Sequence, residues 1–287
     1  MTTPAIRYVQ CMSPAGLHRM AYKEWGDRTN PDVLICVHGL TRVSDDFDVL
    51  ASHLSQRYRV ICPDVVGRGR SDHLLDPQYY AIPQYVADMV TLIARLDVDH
   101  VSWVGTSMGG LIGMVLAAQP VGLIKKLVLN DIGPSLNAAA MARIADYVGQ
   151  SHRFATFEEA RAYVQLISTS FGMHDDAQWR KLAADVLKEA EDGWSLTYDP
   201  ALSIPFKAMT PENVSAAQTL LWAAYDAIRC PILLLRGENS DLLSPETAEE
   251  MTRRGPRAQL LELPNVGHAP TLLVPSQLKP ISDFLQQ

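Results

Sequence analysis

The sequence predicts an α/β protein: a mostly parallel sheet of eight strands flanked by helices, with one helical segment inserted between two of the strands. Three observations lead there. Strand-length apolar runs recur along the 287 residues and alternate with helical patterns, which is the rhythm of βαβ units. Several runs, residues 32–37 among them, are apolar at consecutive positions, as in strands covered on both faces. From residue 135 to residue 211 the alternation stops, and helical periodicity rich in alanine and aromatic residues takes over.

Taken in order, residues 6–12 and 19–25 read as strands joined through Ser13-Pro14-Ala15-Gly16, an antiparallel hairpin for a sheet edge. Residues 32–37 form a buried strand that stops at His38-Gly39. Residues 44–57 carry Ser44 as an N-cap candidate, acids in the first turn, and Phe47, Leu50, Ala51 and Leu54 at helical spacing. Residues 58–64 supply the next strand. The loop after it, Val65-Val66-Gly67-Arg68-Gly69-Arg70-Ser71-Asp72, has neither Gly-x-Gly-x-x-Gly nor P-loop spacing, so it reads as a structural turn and not a nucleotide site. Residues 83–96 form a helix expected to turn Val86, Met89, Val90, Ile93 and Leu96 inward. A strand ending at Val104 and a helix beginning directly after Ser107 follow, and then a strand at 124–129. After the insert come a helix near 213–227, a strand at 231–235, a helix capped by Ser244 with Pro245 at its first position, a strand at 259–263 and a closing helix near 276–285. This divides the chain into a core, residues 1–134 and 212–287, and a helical cap, or lid, at 135–211.

A net charge of −7 and the lack of a Lys/Arg tract interleaved with aromatics argue against a nucleic-acid partner. The pairs Lys125-Lys126 and Arg253-Arg254 read as solvated element ends. No apolar run approaches the ~20 residues of a membrane-spanning helix. Met-Thr-Thr-Pro-Ala at the N-terminus shows no basic segment followed by an apolar run, so a cytoplasmic location is expected, with no membrane partner. Cys11, Cys36, Cys62 and Cys230 are scattered without Cys-x-x-Cys spacing and read as buried thiols. The eight histidines show no pair at i, i+4 and no clustering with cysteine, so neither a metal nor another cofactor is expected.

Chemistry is concentrated at Gly105-Thr106-Ser107-Met108-Gly109. A Gly-x-Ser-x-Gly turn from strand straight into helix forces its serine into strained backbone geometry and projects one hydroxyl outward, with glycines where side chains would collide. A serine hydroxyl is a weak nucleophile, so Ser107 needs a base and a group that orients the base. In open parallel sheets such groups gather at the carboxyl ends of strands. His268, in the loop after the final strand, fits as the base. His38 reads as holding its own loop, and His53 and His100 as surface or element-end residues. For the acid, Asp241 follows the penultimate strand and gives the chain order Ser107, Asp241, His268. Asp131 and Glu238 are the alternatives.

These pieces together resemble the α/β-hydrolase fold superfamily. His38-Gly39-Leu40, Asp64 with Gly67-x-Gly69-x-Ser71-Asp72, the elbow Gly105–Gly110, Asp241 and Gly267-His268 match in order and span nearly the whole core, while the cap carries no such match. The look is that of capped bacterial serine esterases. The resemblance implies an oxyanion hole from the backbone N–H groups of Leu40 and Met108, and cleavage of a small-molecule carboxylic ester through an acyl-enzyme. It also implies two alternatives with the same triad: a carbon–carbon bond hydrolase or enol-lactonase, and a small-molecule receptor of low turnover. Serine at the elbow argues against the dehalogenases and epoxide hydrolases of this fold, which carry aspartate there. Two departures stand out: Val65-Val66 where arginine is common, and Gly67-Arg68-Gly69 where Gly-His-Gly is frequent. Trp222 and Met209 are the candidates for the walls of the substrate pocket.

Overall fold

The structure is a computed structural model and describes residues 3–287. Met1 and Thr2, the start of the stretch read above for a leader, lie outside the described residues.

Two strands open the chain, β1 (Ala5–Ser13) and β2 (Gly16–Trp25), paired antiparallel from Ala5 opposite Glu24 to Ser13 opposite Gly16. Then come β3 (Val33–Val37), α1 (Asp48–Leu54), β4 (Arg59–Pro63), α2 (Ile82–Leu96), β5 (Val101–Thr106), α3 (Met108–Ala117) and β6 (Ile124–Asn130). The sheet resumes after the insert with α8 (Pro211–Ala227), β9 (Ile232–Gly237), α9 (Pro245–Arg253), β10 (Gln259–Leu263) and α10 (Pro275–Gln286). Spatially the strands run β1-β2-β4-β3-β5-β6-β9-β10. β2 meets β4 antiparallel, and every pairing from β4 to β10 is parallel. The expected fold class is therefore the observed one.

Every residue of β3 and β4 is buried, because helices cover both faces, and this is why those segments are apolar without alternation. One core layer packs Tyr85, Met89, Ile112 and Tyr225 on one face of the sheet, and the other packs Phe47, Leu50, Leu54, Ile281 and Phe284 on the opposite face. Two local expectations are corrected. Ser44 caps no helix: Ser44–Phe47 is a 3-10 turn leading into α1, and the Ser44 amide donates instead to the Asp64 carboxylate at 2.7 Å. In α2 the buried stripe runs Tyr85, Met89, Leu92, Ile93, Leu96, and Val90 is exposed, rotated off the face by one position. Ser244 caps α9 as expected, accepting from the Thr247 amide.

The insert between β6 and α8 carries α4 (Ala138–Tyr147), α5 (Phe157–Ile167), α6 (Asp176–Val186) and α7 (Ser203–Lys207). It is not all helical. A hairpin, β7 (Leu187–Ala190) with β8 (Gly193–Leu196), turns through Glu191-Asp192 with Gly193 at φ +123°, and Phe154 adds an isolated bridge to Trp194. An Asp-Gly pair is a turn signal that the surrounding alanine-rich helical pattern obscures. A small apolar cluster of its own, with Ala160, Val164, Ala183, Val186 and Leu187, holds the insert together and takes in Val43 from the loop after β3. Helix α8 packs on α3 and belongs to the main layer. Among the described residues no helix is long and apolar enough to cross a membrane.

Candidate active site

Ser107 stands between β5 and α3 with φ +51° and ψ −116°, a conformation that a side chain bears only under strain. The flanking glycines are sterically required. A Cβ on Gly105 would lie 2.3 Å from the Gly109 carbonyl oxygen, and one on Gly109 would lie 2.0 Å from that of Val37. Trp103, fully buried beneath the turn, donates its indole N–H to Gly109 O at 3.0 Å.

The loop after β10 brings His268 to the serine. The Ser107 hydroxyl donates to His268 Nε2 at 2.9 Å, and His268 Nδ1–H donates to Asp131 Oδ2 at 2.7 Å. Asp131, not Asp241, is thus the carboxylate the structure sets behind the imidazole. It follows β6 directly, is fully buried, and takes φ +57°. Its Oδ1 accepts the Gly237 amide at 2.8 Å and its Oδ2 also accepts the Ser240 hydroxyl at 2.6 Å. Those two bonds fasten the loop after β9 onto Asp131 and leave Asp241 facing outward, where it pairs with Arg143 at 2.8 Å with its side chain 45% accessible. Glu238, the other alternative, accepts from the Asn265 amide and stays out of the site. Chain order does not separate the two, because Asp131 and Asp241 both follow parallel strands between Ser107 and His268; the hydrogen bonds that Asp131 accepts from His268, Gly237 and Ser240 mark the difference.

For Leu40 and Met108, the oxyanion residues implied by the resemblance, the opposite end of each N–H-bearing peptide is pinned. The Gly39 carbonyl, in the same peptide unit as the Leu40 N–H, accepts from His38 Nδ1 at 2.7 Å and from the Arg42 amide at 3.2 Å. The Ser107 carbonyl, in the same unit as the Met108 N–H, accepts from the Gly110 and Leu111 amides at 2.8 and 3.1 Å. His38 Nε2 in turn accepts the Val65 amide at 2.9 Å. An acceptor on one ring nitrogen and a donor on the other specify the neutral imidazole, and complete burial pushes its pKa down to about 4. His38 does hold its loop, as expected.

A residue the sequence reading set aside proves central to this geometry. Arg68, from the Gly67-Arg68-Gly69 departure, is fully buried; its Nε donates to Leu40 O at 2.8 Å and its Nη2 lies 3.4 Å from Met108 Sδ. Its remaining N–H groups reach Val66 O and the Tyr85 hydroxyl, and its face lies over Tyr85. One cation therefore touches both expected oxyanion residues. The only sequence signal was its unusual place between two glycines.

Ser107 and His268 open into a cleft with an empty volume, open side included, of about 990 Å³. Its floor is the loop after β3 and its roof comes from the insert, with Tyr147, Val164, Ile167, Phe171, Leu196 and Tyr198. Burial raises the Tyr147 hydroxyl above the ordinary tyrosine value and raises Tyr198 to about 12, so both stay protonated donors. Neither Trp222 nor Met209 lines this cleft. Trp222 hydrogen-bonds Ser135 through its indole and stacks under Arg254, and Met209 is exposed after α7. The insert also holds the His268 loop: Ser170 O accepts the Gly267 amide at 2.7 Å, and the Ser170 hydroxyl donates to His268 O.

Away from the cleft, Cys11, His18 and Asp88 cluster in space although not in sequence, with donor atoms within 4.8 Å of one another. His18 hydrogen-bonds Asp88 directly at 3.0 Å, and Gln84 donates to the other Asp88 oxygen, so the group ties the β1–β2 hairpin to α2.

A family model described as the alpha/beta hydrolase fold matches residues 32–273. The chain is 55% identical over 280 residues to a 3-hydroxybutyrate-oligomer hydrolase of Cupriavidus necator, covering 96% of each protein. It is 26% identical to the esterase YbfF of Escherichia coli, over 83% of this chain and 87% of that one. The crystal structure of an alpha/beta hydrolase from Novosphingobium aromaticivorans superposes with a TM-score of 0.87 at 36% identity, covering 100% and 99% of the two chains.

Proposed function

Because the chain belongs to the α/β-hydrolase fold family, we propose that it is a serine ester hydrolase acting on short linear esters of hydroxy acids, with Ser107, His268 and Asp131 as its triad. The hydrogen-bonded run from Ser107 through His268 to Asp131, opening into the cleft, carries the reading. The name of the Cupriavidus relative points to 3-hydroxybutyrate oligomers as the substrate class.

In this reaction Ser107 Oγ attacks the ester carbonyl while His268 Nε2 takes its proton. Asp131 keeps Nδ1 protonated and stabilises the imidazolium that forms. The tetrahedral oxyanion meets the amides of Leu40 and Met108, donors of a kind worth about 3 kcal/mol each in the transition state. They need no reorganisation, because His38, the Arg42 amide and the first turn of α3 already fix their peptides. Collapse breaks the ester C–O bond and expels the hydroxyl end of one hydroxy-acid unit, which His268 protonates. Water then attacks the acyl-serine, giving its proton to His268, and releases the free acid. The cap, on this view, is the insert that roofs the cleft and sets which acyl and alcohol groups fit.

The test is hydrolysis of 3-hydroxybutyrate dimer and trimer alongside p-nitrophenyl butyrate, with mass spectrometry of the trapped acyl group. Wild type is expected to turn over all three and to carry the added acyl mass on the peptide holding Ser107. Ser107→Ala is expected to lose on the order of 10⁴- to 10⁶-fold in kcat. Equal activity of the two proteins, or equal inertness across the panel, would sink the proposal.

A further inference from the structure

Two arginines line the cleft, Arg42 and Arg143, and they differ in how far they are committed. Arg42 is buried. Asp46 holds its Nε and Nη2, Leu182 O accepts from its Nη1 at 3.1 Å, and Phe171 lies against its face. It is part of the wall. Arg143, on α4, has a side chain 41% accessible, and its hydrogen-bonded partner among the described residues is Asp241. Both Nε, at 2.9 Å, and Nη2, at 2.8 Å, converge on the single oxygen Oδ2. That is not the two-oxygen fork a guanidinium makes with a well-placed carboxylate, and half-exposed pairs of this kind contribute little. One turn further along the same face of α4, the Tyr147 hydroxyl stays protonated and also lines the cleft. The cleft thus offers an anionic ligand one exchangeable cation with a neutral donor nearby, in walls that are otherwise mainly apolar.

We propose that Arg143 is the recognition residue for a substrate carboxylate: the free acid end of a hydroxy-acid oligomer takes the guanidinium in fork geometry and releases Asp241 to solvent. This rests on the ester-hydrolase reading above and extends it. A short oligomer carries one carboxylate at a fixed number of bonds from each ester, so a cation fixed in the cleft wall selects which ester reaches Ser107. The enzyme then works from the carboxyl end and distinguishes a free acid from a neutral ester of the same chain.

The experiment compares kcat/KM for the 3-hydroxybutyrate trimer and for its methyl ester in wild type, Arg143→Gln and Arg143→Lys. The ratio of the two trimer substrates is taken within each preparation, so the amount of active enzyme cancels, and p-nitrophenyl butyrate checks that wild type is active. Wild type is expected to favour the free acid over the methyl ester. In Arg143→Gln that ratio is expected to fall at least tenfold, chiefly through KM, with Arg143→Lys restoring part of it. A ratio unchanged by Arg143→Gln, or a wild type that prefers the methyl ester, overturns the inference while leaving the hydrolase reading intact. Turnover of p-nitrophenyl butyrate with neither trimer form accepted overturns the assigned substrate class and this inference with it.

Discussion

Gly39 and Leu40 share a peptide plane, so the hydrogen bond from His38 to the carbonyl of that plane also sets the direction of its N–H. At this scale the site is a matter of which atom each neighbour can satisfy. Asp131 accepts from His268, Gly237 and Ser240, and Asp241 accepts from Arg143. Asp131→Asn is therefore expected to lower kcat for a p-nitrophenyl ester on the order of 10⁴-fold, because the amide disturbs the tautomer His268 needs. Asp241→Asn is expected to stay within about threefold for the same neutral substrate, since it removes only a half-exposed pair. Steady-state kinetics on the two variants decides between the carboxylates. The reversed result would return the acid's role to Asp241. The pairing of Ser107 with His268 was legible in the sequence because a strained glycine-flanked turn and a histidine after the last strand leave few other readings. The carboxylate that His268 meets was not, because two loops ending neighbouring strands both present aspartate, and their difference lies in hydrogen bonds made across the sheet.

The elements themselves were read largely correctly where burial on both faces imposes an apolar run, as in β3, β4 and β9. They were misread where a short turn interrupts a helical composition, as at Glu191-Asp192-Gly193, and where tertiary bonds outcompete a local cap, as at Ser44. The elbow is the element whose geometry has least slack. Gly109→Ala sets a methyl group against the Val37 carbonyl of the adjacent strand at 2.0 Å, so β3, β5 and α3 have to part. The expected cost is about 3 kcal/mol or more, seen as a fall in Tm of roughly 5–10 °C together with loss of turnover. A variant as stable as wild type would show that α3 is seated less tightly on β3 than this contact requires. Trp222 and Met209 were proposed as pocket walls on residue type alone. The insert's own fold, which no periodicity in one sequence specifies, gives that place to α4, α5 and the turn at Ser170.

For the molecule as a whole, two buried groups with shifts of opposite kind act over the same range of pH. His38 titrates near 4 in the fold against 6.5 when unfolded, so its contribution is fully present above pH 6.5 and is lost as pH falls from there to about 4. Asp185 in α6 is pushed up to about 6 by burial, against 3.8 unfolded, so its contribution is fully present below pH 3.8 and is lost as pH rises to about 6. Each spans about 3 kcal/mol at 1.36 kcal/mol per unit of pKa, and between pH 6.5 and 4 they offset each other. Urea unfolding across this range is expected to show a nearly level stability for wild type and a loss of about 3 kcal/mol toward pH 4 in Asp185→Asn. An Asp185→Asn profile as level as wild type would show that burial does not keep His38 neutral.

The bonds from Ser170 to Gly267 and His268 give the molecule a constraint of another sort. The segment that roofs the cleft is stitched to the backbone beside and at His268. Under the proposed ester hydrolysis, reshaping the roof also shifts His268, so selectivity and speed change together. A swap of the roof between relatives that leaves behind the turn at Ser170 separates two parts that were fitted to each other.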